Sequence, residues 1–171
     1  MIVLFRLLTV MIKSWFKKRL GALDESVVTM RVWPNDLDLN LHMNSGRYIS
    51  VMDVGRINIL CRSGVLGRVT RLGWRPLVGG SFIRYRRSLR PFEKFTVRSR
   101  VLCWDEKWFY FQHIMEKDGQ LCAISHVRGL LRGRDGNVSS EQFLTVVGVA
   151  DLVSPPIPEF IHSWNAADAA R

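Results

Sequence analysis

Apolar residues recur along this chain with two different periods, and the change of period divides it. From Ser45 to Ser63, Tyr48, Met52, Gly55 and Ile59 follow one another at four, three and four residues, which puts them on one face of a helix. Val51 and Leu60 widen that stripe and predict a helix buried on most sides. Gly55 costs about 1 kcal/mol relative to alanine, so a neighbour is expected to pack close there; Gly64 supplies the stop. Ahead of this helix, Ser26 to Trp33 is rich in β-branched residues and predicts a strand, which Pro34 ends. Behind it, Gly79–Leu89, Phe92–Trp104, Lys107–Glu116 and Gln120–Arg132 read as strands. Turn sequences at Trp104–Lys107, Lys117-Asp118-Gly119 and Arg134–Asn137 make them consecutive and antiparallel. Glu141–Ala150 suits a short helix or a strand, and Pro155, Pro156 and Pro158 predict an irregular tail over residues 154–171.

The order of strand, buried helix and consecutive strands predicts an α+β fold, with an antiparallel sheet curled around one apolar helix. Residues 21–153 form that single domain, in a chain of 171 residues long enough to bury a core without disulfides.

Residues 1–20 stand apart. At 100° per residue, Arg6, Thr9, Lys13 and Lys17 share a sector of about 80°, while Ile2, Leu4, Phe5, Leu8, Ile12, Trp15 and Phe16 fill much of the rest. A basic amphipathic helix lying in an anionic membrane interface, with Trp15 near headgroup depth, is the expected role. A helix docked on the protein's own core or on a second subunit is the alternative. Charge follows the apolar run here and no small-residue cleavage site appears, unlike a secretory signal; Arg6 interrupts a spanning segment early.

Composition narrows the chemistry. At 47% hydrophobic and 23% charged the chain is globular rather than disordered. Cys61, Cys103 and Cys122 form no CxxC pair, which suits reduced thiols and a cytoplasmic location. The net charge of +10 calls for an anionic partner, and seven basic residues fall between Arg84 and Arg100 against only Glu93. Arg84 and Arg86, on one strand face by alternation, suit the phosphates of coenzyme A, with Arg87 and Arg90 nearby; a solvated face is the plain alternative. Nucleic acid is disfavoured, because Tyr85 alone is placed to stack among these arginines. Ser63, Ser81 and Ser125 lack the G-x-S-x-G context of a nucleophile, and His113 and His126 fall inside predicted strands.

The segment before the helix carries the chemistry. Asp36, Asp38, Asn40, His42 and Asn44 alternate with Leu37, Leu39, Leu41 and Met43. A calcium loop starting at Asp36 would need glycine at 41 and glutamate at 47, where the chain has Leu41 and Arg47. One histidine without cysteine neighbours is a poor zinc site, and no metal or cofactor is implied. An amphipathic edge strand also fits the alternation. A catalytic reading uses the position: amides at a helix N-terminus polarise a carbonyl or hold an oxyanion, and a nearby carboxylate attacks a thioester or activates water.

The run Asp36-Leu-Asp38-Leu-Asn40-Leu-His42-Met-Asn44-Ser-Gly-Arg-Tyr48 resembles the D-x-D-x-x-x-H-x-N-N-x-x-Y signature of hot-dog acyl thioesterases. It is most similar to the 4-hydroxybenzoyl-CoA thioesterase-like branch and, within it, to the thioesterase superfamily member six group, whose R-S-G after the helix is matched by Arg62-Ser63-Gly64. The resemblance implies a hot-dog fold, a long central helix wrapped by a curved antiparallel sheet. It also implies a homodimer or dimer of dimers with sites at the subunit interface, hydrolysing an acyl-CoA or acyl-carrier-protein thioester. By position, Asp38 matches the acidic catalytic residue, as base or nucleophile. His42 and Asn44 match residues that orient the thioester and shape the helix start, and Asn40 and Tyr48 match substrate-side positions. Amides from Asn44 to Gly46 are expected to face the oxyanion. Ser45 stands where the signature has a second asparagine and is expected to cap the helix. Asp36 is expected to be a structural turn residue. A non-catalytic hot-dog module that binds acyl chains or scaffolds a membrane complex remains the alternative.

Overall fold

The computed structural model describes residues 2–170, with side chains from residue 4 onward. Six antiparallel strands form one sheet: β1 (Ser26–Arg31), β2 (Arg75–Tyr85), β3 (Lys94–Trp104), β4 (Phe109–Lys117), β5 (Gln120–Arg132) and the short β6 (Asn137–Val138). Their spatial order is β1-β3-β4-β5-β2, with β6 paired to β5. Helix α2 (Ser45–Arg62) lies across the concave face. This is the hot-dog arrangement expected from the sequence.

Why the sheet accepts the helix is legible at Gly55. A Cβ built there would stand 2.2 Å from the Ser99 hydroxyl oxygen of β3. The close neighbour that the mid-helix glycine predicted is therefore the sheet itself. Around this point Tyr48, Val51 and Met52 of α2 interlock with Phe95, Val97 and Met115, all buried. A second cluster at the other end joins Ile59 to Trp104, Phe109, Phe111, Val127 and Leu144.

Strand β2 begins and ends earlier than the predicted Gly79–Leu89. It includes Pro76 because β2 is at the sheet edge, where a missing N–H costs no ladder hydrogen bond. It stops at Tyr85 because the Arg86 and Arg87 amides both turn onto the Cys122 carbonyl oxygen. The ambiguous Glu141–Ala150 segment is helix α4 (Ser140–Val147), capped by the Ser139 hydroxyl on the Gln142 amide. Helix α3 (Val65–Arg71), which had no counterpart in the sequence reading, follows α2 directly after Gly64 at φ 74°.

The tail is not irregular throughout. Glu159–Ala169 is helix α5, entered from Pro158, and it covers the convex face of the sheet. Ile161 is fully buried against Cys103 and Tyr110. The Arg128 guanidinium lies between the rings of Trp108 and Trp164, 4.8 and 5.0 Å from their centroids, and meets Asp168 and Asn165. Three prolines masked this helix in the sequence because they precede it rather than interrupt it.

Helix α1 (Ile2–Trp15) docks on α2 and β1. Its inward stripe is Arg6, Val10 and Ser14, and its outward stripe is Leu4, Phe5, Leu8, Ile12 and Trp15, continued by Phe16. Arg6, assigned above to the solvated polar face, is buried. The predicted apolar position Ile2 lies outside the residues with described side chains. Arg62 fastens the following segment, donating to the Lys18 carbonyl from Nε and Nη2. Among the described residues no helix is long and apolar enough to cross a membrane.

Candidate active site

The polar segment folds as a small hairpin hung between β1 and α2. Leu37 bridges Met43, the Asp38 amide donates to the His42 carbonyl, and the Asn44 amide donates to the Asp36 carbonyl at 2.7 Å. At its tip the Asp38 carboxylate accepts from the Asn40 amide at 2.9 Å and the His42 amide at 3.4 Å. Both bonds use Oδ1, so Oδ2 is unbonded among the described residues. Leu41 takes φ 57°, a left-handed backbone that leucine adopts at a cost of about 1–2 kcal/mol. Leu39 and Leu41 project into solvent on either side.

Asp36 takes the structural role expected of it, with a partner the sequence reading did not supply. It is buried and accepts from both terminal nitrogens of Arg6, at 2.9 and 2.6 Å, and from the Trp33 amide at 2.9 Å. The two aspartates two residues apart therefore point to different tasks, one locked in the core and one half-exposed in the loop.

The helix start differs in detail from expectation. Asn44, not Ser45, is the N-cap, and its Oδ1 accepts from the Gly46 amide at 2.9 Å. That bond removes Gly46 from the pool of free donors and leaves the Ser45 amide without an acceptor among the described residues. The Ser45 carbonyl accepts from the Tyr85 hydroxyl at 2.9 Å, which ties the helix start to the end of β2. Tyr48 does not face the loop. It is buried, accepts from the Leu89 amide at 3.2 Å, donates to the Arg87 carbonyl at 3.4 Å and meets Tyr85 edge-on. Burial raises its phenol above the usual tyrosine range, so the hydroxyl stays protonated. Tyr48 thereby ties α2 to the 87–89 segment.

That segment brings cations to the site, though not the pair named from alternation. A polar cleft of about 480 Å³ is lined by His42, Arg87, Ser88, Arg90 and Lys117, with Glu93 and Asp118 among its acids. Glu93 is bonded to Lys117 at 2.6 Å and to the Arg90 amide at 2.8 Å, and these cationic and amide donors hold its carboxyl below the usual range despite partial burial. Arg84 shares the convex face with Phe82 and His126, away from His42, and Arg86 is exposed beyond the strand end; neither lines the cleft. Strand alternation stops at Tyr85, so counting onward by twos from Arg84 does not place Arg86, and of the four arginines named from the sequence Arg87 and Arg90 are the ones that line the cleft. Among the described residues no group of three metal-ligating side chains occurs. Asn40 is exposed at the loop tip, and its side chain makes no hydrogen bond among the described residues.

Similarity to known proteins shows the family of the chain. The family model of the thioesterase-like superfamily matches residues 32–165. The frog Xenopus laevis protein THEM6 is 36% identical over 135 residues, which are 78% of this chain but 63% of that protein's length. The probable thioesterase YbaW of Escherichia coli superposes with a TM-score of 0.67 at 19% identity, over 73% of this chain and 97% of that one. A Staphylococcus aureus protein solved in complex with CoA gives 0.64 at 20% identity, over 84% and 96%. From the family match and the hairpin-to-helix segment within it, the chain belongs to the thioesterase-like superfamily.

Proposed function

We propose that the chain hydrolyses an acyl thioester of coenzyme A, with Asp38 as the acidic group. The observation that carries this reading is the Asp38 loop. Its carboxylate is held by two amides with one oxygen spare, in a hairpin that runs directly into the N-terminus of α2. Asp38 takes a proton from water as the water oxygen adds to the thioester carbon, or attacks that carbon itself. In the first case the C–S bond breaks, the proton taken by Asp38 passes to the sulfur, and CoA and the free acid leave; in the second the thiolate leaves first, a mixed anhydride forms on Asp38, and water hydrolyses it to the free acid and restores the carboxylate. The Ser45 amide, at the positive end of the helix, is the available donor to the developing oxyanion. His42 and Asn44 orient the thioester, Asn44 through the cap it makes.

Arg87, Arg90 and Lys117 around His42 supply the phosphate-binding charge, in place of Arg84 and Arg86. The CoA bound to the Staphylococcus aureus neighbour supports this carrier. The unpaired edge of β2, with Leu77, Val78 and Tyr85 exposed along it, favours pairing with a second copy to continue the sheet as a dimer. The outward apolar stripe of α1, flanked by Lys13 and Lys17, favours peripheral contact with an anionic membrane.

A panel of acyl-CoA thioesters with Asp38→Asn as control tests the reading. Turnover is expected in the native chain and its loss in the variant, with the fold unchanged by circular dichroism. Unchanged hydrolysis in Asp38→Asn would remove Asp38 from the mechanism. A panel without turnover on CoA or carrier-protein substrates would make the chain a non-catalytic acyl-binding module.

A further inference from the structure

At the end of α2 remote from the Asp38 loop, the fold forms another cavity, half-open to solvent and of about 260 Å³. One water needs about 10–15 Å³ of such space, so the cavity has room for an alkyl chain rather than a lone solvent molecule. Its walls are almost wholly apolar: Ile59 and Leu60 of α2, Val69 of α3, Phe111 of β4, Leu130 of β5 and Val147 of α4. Two of those elements, α3 and α4, close the end of the sheet here. Such walls do not hold ordered water, which needs polar partners, and an unfilled apolar cavity weakens a fold in proportion to its volume.

One strong cation reaches this cavity. Arg56 lies on its wall, 15% exposed, over Gly129; a Cβ built on that glycine would stand 3.9 Å from Nη1. Its salt bridge runs from Nη2 to Asp53 at 3.0 Å, and its other donors have no acceptor among the described residues. Asp53 is an incomplete counterion. Burial raises its carboxyl above the usual range, and the neighbouring guanidinium offsets only part of that rise. An apolar chamber of this size with one under-used guanidinium at its wall matches a ligand with a single alkyl chain and one carboxylate.

We propose that this cavity is a separate binding site for a free fatty acid of medium chain length, its chain inside and its carboxylate on Arg56. The site is distinct from the thioester site: Arg56 is twelve residues beyond the Asn44 cap, about 18 Å along the helix. The buried Tyr48 and Met52 cluster fills the space between them.

The test is binding of dodecanoic acid and of dodecanol to the delipidated full chain, by calorimetry and by displacement of a fluorescent fatty acid. One dodecanoate per chain is expected. Arg56→Gln should weaken dodecanoate at least tenfold and leave dodecanol unchanged. Val147→Trp, at a partly exposed wall position, should weaken both at least tenfold, and Leu66→Trp repeats the test from α3 should the first variant fold poorly. Asp38→Asn should bind dodecanoate as the native chain does. The proposal is overturned if dodecanoate does not bind, or if both tryptophan variants fold and bind it normally. Loss of binding in Asp38→Asn would equally overturn it, by assigning the acid to the thioester site.

Discussion

Arg6 and Asp36 face each other with two parallel hydrogen bonds, guanidinium to carboxylate, inside a protein that exposes 6% of one and 1% of the other. Removing one partner leaves the other charge buried alone, which costs about 3–5 kcal/mol. Asp36→Asn and Arg6→Met are therefore each expected to lower stability by that order in urea unfolding. The double variant should lose much less than the sum, because neither charge is then stranded.

Gly55→Ala is expected to destabilise by about 1–3 kcal/mol, since the new methyl would meet the Ser99 oxygen at 2.2 Å. Thermal melting of Gly55→Ala beside Gly55→Ala/Ser99→Gly checks the cause. The second change should recover part of the loss. It will not recover all, because the Ser99 hydroxyl also bonds His113 Nδ1 at 2.8 Å.

Stability should fall steeply in acid. Burial first, then the positive Arg56 and the neighbouring His126, press His113 down to about 3; burial, Arg84 and Arg100 press His126 down to about 4. The folded chain thus binds fewer protons than the unfolded chain from about pH 6.5 downward. Its stability is full above that point and is lost as pH drops toward those values. The slope is up to about 1.4 kcal/mol per pH unit for each histidine. Urea unfolding from pH 7 to pH 4.5 measures it, and His113→Met should flatten it by about half.

Arg87→Ala and Arg90→Ala are expected to raise KM for an acyl-CoA by about tenfold each, the worth of a hydrogen bond to a charged group, with kcat little changed. Acyl-pantetheine, which lacks the nucleotide phosphates, should show no such loss. Arg84→Ala should leave both substrates unaffected.

What the sequence disclosed follows from range. The α2 stripe and the strand alternation are local periodicities, so Tyr48, Met52, Gly55 and Ile59 mark the core without any knowledge of partners. The place of Asp38 in a polar run just ahead of the helix start was legible from spacing, and its proposed task came from the family resemblance. Arg6 and Asp36 are thirty residues apart, and no local rule predicts that a basic residue in an amphipathic run turns inward to meet one carboxylate. The same holds for Arg87, whose place beside His42 depends on where β2 stops and on the Tyr48 hydroxyl. Helix α5 was hidden because its stability comes from Trp164, Asn165 and Asp168 gripping Arg128 and Tyr110, contacts made far along the chain.

Leu41 separates what the loop needs for its shape from what it shows to the outside. Glycine or asparagine takes its backbone geometry with less strain, and its exposed side chain adds nothing to the core. Exchange of Leu41 for asparagine therefore changes the surface beside Asp38 while keeping the turn that holds it.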